Sequence, residues 1–379
     1  MPRHEQAPRP FRRLVGVGIA FAFLAAACGT GGASTAPSTA PSEPAASEPA
    51  ASSGTGSAEP GTDAIAELKA KLEGQTLKVG SSASPNASVV GFFKTLQFLE
   101  EDFGVQVDEQ LLDSDPLIAA MISEQVQVGQ LSLAGTANAN ANGANFVAFG
   151  VNDQKNPFIV AAKDPIKTLE ELEGKPFGAT SNLNQITGQT ARKCLESVGL
   201  DIEKDVQLIQ FNNTGEVTGA IRSGQVAGGI SAVFRLTGIK LEEPENIINI
   251  LCYGKDENPQ ISSVWMADRE WVAANPDMAQ ALIISELNAA RWSKVDKAGW
   301  IALAMEVIEG YSPEAGELDY QDLVIDLDDW PVNGGLDETM CQQTLDTSFE
   351  FGAITAQLKC SDVADFSFQE KALEILGEQ

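Results

Sequence analysis

Histidine scarcity sets the first limit on the chemistry open to this 379-residue chain, which has one histidine, His4. His4 lies in a basic N-terminal stretch that reads as a removable export signal, so the processed chain would have none. That excludes a Ser-His-Asp triad, a Cys-His pair and any zinc site with a histidine ligand. Carboxylates are plentiful. Asp113/Asp115 could serve as paired acids in a hydrolase, and Asp326/Asp328/Asp329 resemble the start of a calcium loop. An EF-hand needs glycine at its sixth position, where counting from Asp326 gives Pro331, so these acids are read as solvated and no metal or cofactor is expected. No GxSxG, Walker A or GxGxxG element occurs, and the five cysteines show no CxxC spacing.

Charge narrows the partners. The chain has 53 acidic and 25 basic residues, a formal charge of −28. Removing residues 1–27, with Arg3, Arg9, Arg12, Arg13 and Glu5, leaves 52 acidic against 21 basic residues and a charge of −31. Such a surface repels phosphates, so no nucleic-acid partner is expected.

The N-terminus supplies an address. Basic residues up to Arg13 precede an apolar run of 14 residues, Leu14–Ala27, which is too short to span a bilayer and suited to a secretory signal. It ends Leu24-Ala25-Ala26-Ala27-Cys28-Gly29, which resembles a bacterial lipobox with the leucine one place early. Cys28 is the expected lipidation site, and the protein is expected outside the cytoplasm, held by lipid to the outer face of the cell membrane or in the periplasm. Residues 29–61 are nearly all Gly, Ser, Thr, Ala, Pro and Glu, a composition that cannot bury enough apolar surface to order itself. The domain reading is therefore 1–27 signal, 28–61 lipidated cysteine and linker, and a folded body beyond.

In that body strands and helices alternate. A helix over Asp63–Leu72 is followed by strands at Thr76–Gly80, Val105–Leu112, Val126–Ala134, Asn145–Val151 and Asn156–Ala162. Ser84-Pro85 and Asp115-Pro116 open helices between them, by N-cap followed by first-turn proline. A second series starts near Lys163. Thr168 and Glu171 form a capping box, and strands follow at Pro176–Thr180, Val206–Phe211, Val226–Ile230 and Ile247–Tyr253. Repeated βα units imply two open α/β sheets. Ser123-Glu124-Gln125-Val126-Gln127 and Ser223-Gly224-Gln225-Val226-Ala227 occupy matching places, which suggests related topology in the two halves. From about Ser262 the chain is mainly helical, with Asn275-Pro276 starting a helix, and its tryptophans Trp265, Trp271, Trp292 and Trp300 are read as core.

Five stretches together resemble the periplasmic substrate-binding proteins of ABC importers, in the nitrate/sulfonate/taurine and thiamine-pyrimidine-precursor group. They are Gly91-Phe92-Phe93-Lys94 with Phe103-Gly104-Val105, Ile166–Thr180, Ser197–Asp201, Ala220–Val226, and Asn275-Pro276 with Ala290-Arg291-Trp292 and the segment Leu336–Leu376. The chain has Gln127 and Ala227 where that family usually has aspartate, which leaves the two loop entries open. The resemblance implies a two-lobed α/β fold, each lobe an open sheet, closing on a ligand in the cleft between them. It places lobe one at 62–162 plus 262–379 and lobe two at 163–261, with crossings near Val160–Lys163 and Lys255–Ser262. On that division Cys194–Cys252 and Cys341–Cys360 are the favoured disulfides among three possible pairings, each within one lobe.

Ligand sites of open α/β sheets lie beyond the carboxyl ends of the strands. That rule selects Ser82, Ser84, Asn86, Thr136, Ala137 and Asn138 in lobe one. In lobe two it selects Thr180, Ser181, Asn184, Gln185, Asn212, Asn213, Ser231 and Phe234. For an anionic ligand the basic candidates are Lys94 and Arg235; for an aromatic one the stacking candidates are Phe92, Phe234 and Trp265. The implied protein is a monomeric receptor that delivers a small organic molecule to an ABC permease and is not an enzyme. Pyrimidine synthases of the same superfamily consume a histidine that the processed chain lacks. The alternatives are a surface-anchored carboxylate hydrolase and a ligand-sensing subunit of a membrane signalling receptor.

Overall fold

The computed structural model describes residues 60–81 and 86–379. Cys28, the linker 29–59, Ser82 and Ser84 lie outside the described residues.

The described residues build two five-stranded sheets, each against its own apolar core. The first half runs α1 (Pro60–Leu72), β1 (Thr76–Ser81), α2 (Val90–Phe103), β2 (Gln106–Leu111), α3 (Ser114–Ile122), β3 (Val128–Leu131), α4 (Leu133–Ala141) and β4 (Phe146–Asp153). The second half runs β5 (Phe158–Lys163), β6 (Pro176–Thr180), α5 (Ile186–Glu196), β7 (Gln207–Phe211), α6 (Thr214–Ser223), β8 (Gly228–Ala232) and β9 (Ile248–Tyr253). The chain then returns through β10 (Ser263–Asp268), α7 (Pro276–Val295), α8 (Glu338–Glu350) and α9 (Ser367–Leu376).

The strand orders are β2-β1-β3-β10-β4 and β7-β6-β8-β5-β9. In the first sheet β1 is parallel to β2 and β3, while β10 runs antiparallel to β3 and β4. The second sheet repeats this, with β6 parallel to β7 and β8, and β5 antiparallel to β8 and β9. In both sheets the antiparallel insertion is the strand the chain lays down on arriving from the other sheet.

The five-residue echo marks a structural repeat. Glu124 (φ 58°) and Gly224 (φ 77°) both turn left-handed at the end of a helix. Gln125 and Val126 donate their N–H groups to Ala120 O, and Gln225 and Val226 donate theirs to Ala220 O. Val126 and Val226 are then buried at the mouths of β3 and β8. Where the family has aspartate, Gln127 Oε1 accepts the Lys78 N–H at 2.9 Å, so a longer side chain ties this entry to β1. At Ala227 the tie is made by backbone alone, its N–H donating to Pro176 O.

Apolar spacing accounts for the cores. Phe92, Leu96, Leu99 and Phe103 on α2 pack with Leu282, Ile283 and Leu287 on α7 against Val79, Phe149 and Trp265 of the first sheet. Burying such side chains stabilises by about 1.5–3 kcal/mol each. Trp265 and Trp300 are fully buried, as expected, whereas Trp271 and Trp292 are half-buried. In the second half Ile159, Phe177, Leu195, Val217 and Ile230 form the core. Cys194–Cys252 ties α5 to β9, and Cys341–Cys360 ties α8 to the turn before α9, with Cα separations of 6.0 and 5.7 Å.

Three expectations shift. Val160–Lys163 lies within β5, so the first crossing is the shorter segment between Asp153 and Phe158; the apolar run continues into the second sheet because both its faces are covered there. The capping box at Thr168 yields a single 3₁₀ turn, Glu170–Leu172. The Glu171 carboxylate accepts the Lys167 and Thr168 N–H groups, but Gly174 at φ 67° leaves no room for a longer helix. Asp329 is buried rather than solvated, while Asp326 and Asp328 are exposed.

Candidate functional site

Beyond the carboxyl ends of the first sheet's strands lies a cavity of about 320 Å³. Ser81 closes β1, Ser132 follows β3, Asn152 and Asp153 end β4, and all four line it with Asn86 and Ser114. Phe158 of β5 and Ile186 of α5 supply the opposite wall, so both sheets contribute. A second cavity of about 190 Å³ shares Ser114, Leu131, Ser132 and Ile186 with the first. It adds Asn138 from the first half and Asn184, Gln185 and Gln189 from the second. The two spaces form one cleft between the sheets, of a size suited to a small molecule.

Four of the expected residues therefore meet there: Asn86, Asn138, Asn184 and Gln185. Asn86 also caps its helical turn, its Oδ1 accepting from the Ser88 N–H at 3.0 Å. The other described candidates have different places. Thr136 and Ala137 are fully buried because the helix begins at Leu133, two residues before the loop expected from sequence, which rotates them toward the sheet. Thr136 Oγ1 donates to Ser132 O at 3.1 Å. Ser231 is also fully buried, its hydroxyl 2.6 Å from Thr218 Oγ1. Thr180 Oγ1 pairs with Thr187 Oγ1 at 2.8 Å, and the Ser181 N–H donates to Phe211 O. Asn212 and Asn213 cap α6, the first donating to the Glu216 carboxylate and the second accepting its N–H. Phe234 packs half-buried against the second core.

The stacking and basic candidates are committed elsewhere. Phe92 and Trp265 are fully buried and stacked on each other with centroids 5.6 Å apart. Lys94 lies over the Phe98 and Trp292 rings, and Arg235 Nε donates to Thr214 Oγ1 at 2.8 Å.

Sequence reasoning missed Gln130, Asn152 and Asp153. Gln130 accepts the Ser81 hydroxyl at 2.9 Å, yet its Nε2 has no partner among the described residues, and neither has Asn152 Oδ1 or Asp153 Oδ1. The carboxyl-end rule would have found Asn152 and Asp153, which directly follow the apolar run of β4. Burial raises the Asp153 carboxyl to about 7; the flanking Asn152 and Trp330 side chains restrain that rise without completing a hydrogen bond to Oδ1. Asp329 is raised well above the ordinary range, by burial first and then by the nearby Asp153 charge.

Below the cleft, buried amides lock the second crossing to α5. Asn156 Nδ2 donates to Thr190 Oγ1 and to Asn258 O, both at 2.8 Å. Gln260 Nε2 donates to Gln189 Oε1 and Asn258 Oδ1, and Gln189 Nε2 to Asn184 O at 2.7 Å. A cleft residue, Asn184, is thus positioned by the segment that joins the two sheets.

With this geometry in hand, a sequence profile of ABC-transporter phosphonate periplasmic substrate-binding proteins matches residues 78–274. The chain belongs to that family of periplasmic substrate-binding proteins. Family membership places it outside the cytoplasm as the solute-binding part of an importer. Among solved structures, the periplasmic aliphatic sulphonate binding protein SsuA of Escherichia coli is similar in fold, with a TM-score of 0.62 and 18% identity over 76% of this chain and 96% of that one. The periplasmic nitrate-binding protein NrtA of Synechocystis PCC 6803 has a TM-score of 0.58 and 12% identity over 80% and 89%. The desulfurization enzyme DSZB has a TM-score of 0.59 and 16% identity over 79% and 99%, so the fold also carries catalysis. A comparison with curated protein sequences returned no match. Among the described residues no helix is long and apolar enough to cross a membrane.

Proposed function

We propose that this member of the family captures a small polar organic molecule between its lobes, closes on it and delivers it to an ABC permease. The single observation that supports this most is the mixed lining of one cleft: Asn138 and Ser132 from the first half face Asn184, Gln185 and Gln189 from the second. A ligand touching both sets would favour the closed arrangement, because it binds that state better than the open one. We take lobe one as 62–153 with 263–379 and lobe two as 158–253, so that each lobe holds one sheet. We extend the proposal to tethering: a diacylglyceryl group on Cys28 would hold a monomeric receptor near its permease. Sulfonates, nitrate and pyrimidine precursors define the size class of the cargo.

Thermal-shift screening of the full chain against sulfonates, nitrate, pyrimidines and amino compounds tests the proposal. A ligand present at 100 times its Kd stabilises by about 2.7 kcal/mol, which is readily seen in a melting curve. No response to any class would count against it.

A further inference from the structure

We infer that the cleft takes up a proton with each oxyanion it binds, and that the carboxyl pair Asp153 and Asp329 holds that proton. The inference rests on the receptor reading above and adds how an acidic cleft admits an anionic cargo. Among the described residues, the charged side chains lining the two cavities are Asp113, Asp115 and Asp153. Asp113 and Asp115 are exposed, so water and salt screen them. Asp153 lacks that screening at Oδ1, which is buried at the end of β4.

Asp329 is fully buried and packs against the chain directly after Asp153. Its backbone oxygen accepts the Gln154 N–H and its Oδ1 the Lys155 N–H, both at 3.0 Å. Asp153 Oδ1 and Asp329 Oδ2 remain acceptors without donors, and neither carboxyl has an ion-pair partner among the described residues. Trp330 Nε1 beside Asp153 and Gln130 Nε2 in the cavity wall are donors still open. Such N–H groups can serve the oxygens, but they carry no charge, so two buried carboxylates here would still repel. One proton shared by the pair removes the repulsion.

The surrounding charges do not replace that proton. Glu286 on α7 is a further buried carboxyl near Asp153. Lys155 and Lys294 favour an ionised Asp329, but burial outweighs them, and Lys294 is engaged by Asp328 at 2.6 Å. Burial raises Asp153 to about 7 and Asp329 well above the ordinary range. An oxyanion entering beside Asp153 favours its neutral form. A proton from solvent then forms an O–H bond on Asp153, and the pair passes from one proton to two. The net charge of the cleft is unchanged by binding, and the new O–H joins Gln130 Nε2 as a donor to the anion.

The test is calorimetric titration of the full chain with ethanesulfonate, nitrate and methylphosphonate between pH 6 and pH 9. Buffers of different ionisation heat count the protons, corrected for the probe's own titration. The expected result at pH 8 is uptake of about one proton per ligand, with Kd rising about tenfold per pH unit above that. Asp153→Asn, neutral at every pH, should lose both the uptake and the pH dependence. Asp329→Asn leaves Asp153 without its acidic neighbour and should move the profile to lower pH, whereas a merely structural contact would change affinity alike at every pH. Oxyanion binding without uptake, or with uptake retained in folded Asp153→Asn, would overturn the inference and leave the receptor reading intact. Response only to other compounds would do the same, and response to none would overturn both. If the variants do not fold, the wild-type proton count decides.

Discussion

Glu286 is a carboxylic acid placed inside a hydrophobic core, on α7 between Phe92, Trp265 and Leu282. Its Oε2 accepts from Trp265 Nε1 at 2.6 Å and Thr95 Oγ1 at 2.9 Å. Burial raises its pKa to about 8, the two hydrogen bonds hold that rise back, and the distant Asp153 charge adds slightly to it. The folded protein therefore keeps a proton that the unfolded chain releases above the ordinary value of 4.5. The group's stabilising contribution is complete below about pH 4.5 and is lost as pH rises through about 8. Asp319, raised to about 6, and Asp153, raised to about 7, act in the same direction over narrower windows. Melting temperature should fall between pH 5 and pH 8.5. Glu286→Gln keeps an oxygen acceptor for both donors and should flatten much of that fall, which melting curves across the range would show. An unchanged slope in the variant would place the effect elsewhere.

Gly188 is where the geometry of α5 depends on a missing side chain. A Cβ there would press into the Leu183 backbone, in the loop that carries Asn184 and Gln185 into the cleft. Gly188→Ala should destabilise by about 1–3 kcal/mol through overpacking and weaken ligand response together, measured by denaturation and thermal shift; a stable variant with unchanged ligand response would contradict the role given to this contact. The disulfides act between elements. The Cys194–Cys252 pair closes a separation of 58 residues and Cys341–Cys360 one of 19. Chain entropy assigns them roughly 4 and 3 kcal/mol. Replacing each pair by alanines should cost stability in that order, read by chemical denaturation.

Much of this element level was legible in the sequence, and the misses have physical causes. Strands such as β1 and β6 announced themselves because turn residues bound them on both sides. The apolar run Val126–Ala134 contains a strand, the Ser132 cap and the start of α4, and apolarity alone cannot divide a strand from a buried helix turn. That one boundary displaced Thr136 and Ala137 from the site and left Ser132 unselected. Asn212 and Asn213 were legible as polar residues after a strand, but a nearby Glu216 turned them into caps. Gln130 could not be selected because it lies within β3 rather than beyond its end, and its unmet Nε2 is revealed only by three-dimensional packing.

At the scale of the whole molecule, two sheets of the same strand order are linked by segments that each continue into the antiparallel strand of the other sheet. Closing motion would then be taken up at 154–157 and 254–262, while the amides around Asn156 and Gln260 keep the cleft wall attached to the second link. The central claim is that one ligand is gripped from both sides. Hydrogen–deuterium exchange of the full chain, with and without the strongest responder from the screen, tests it most directly. The account predicts slowed exchange on both walls at once, around 112–118 and 130–138 in the first half and 181–190 in the second. Protection confined to one wall, or appearing only along the outer face of α8, would contradict it.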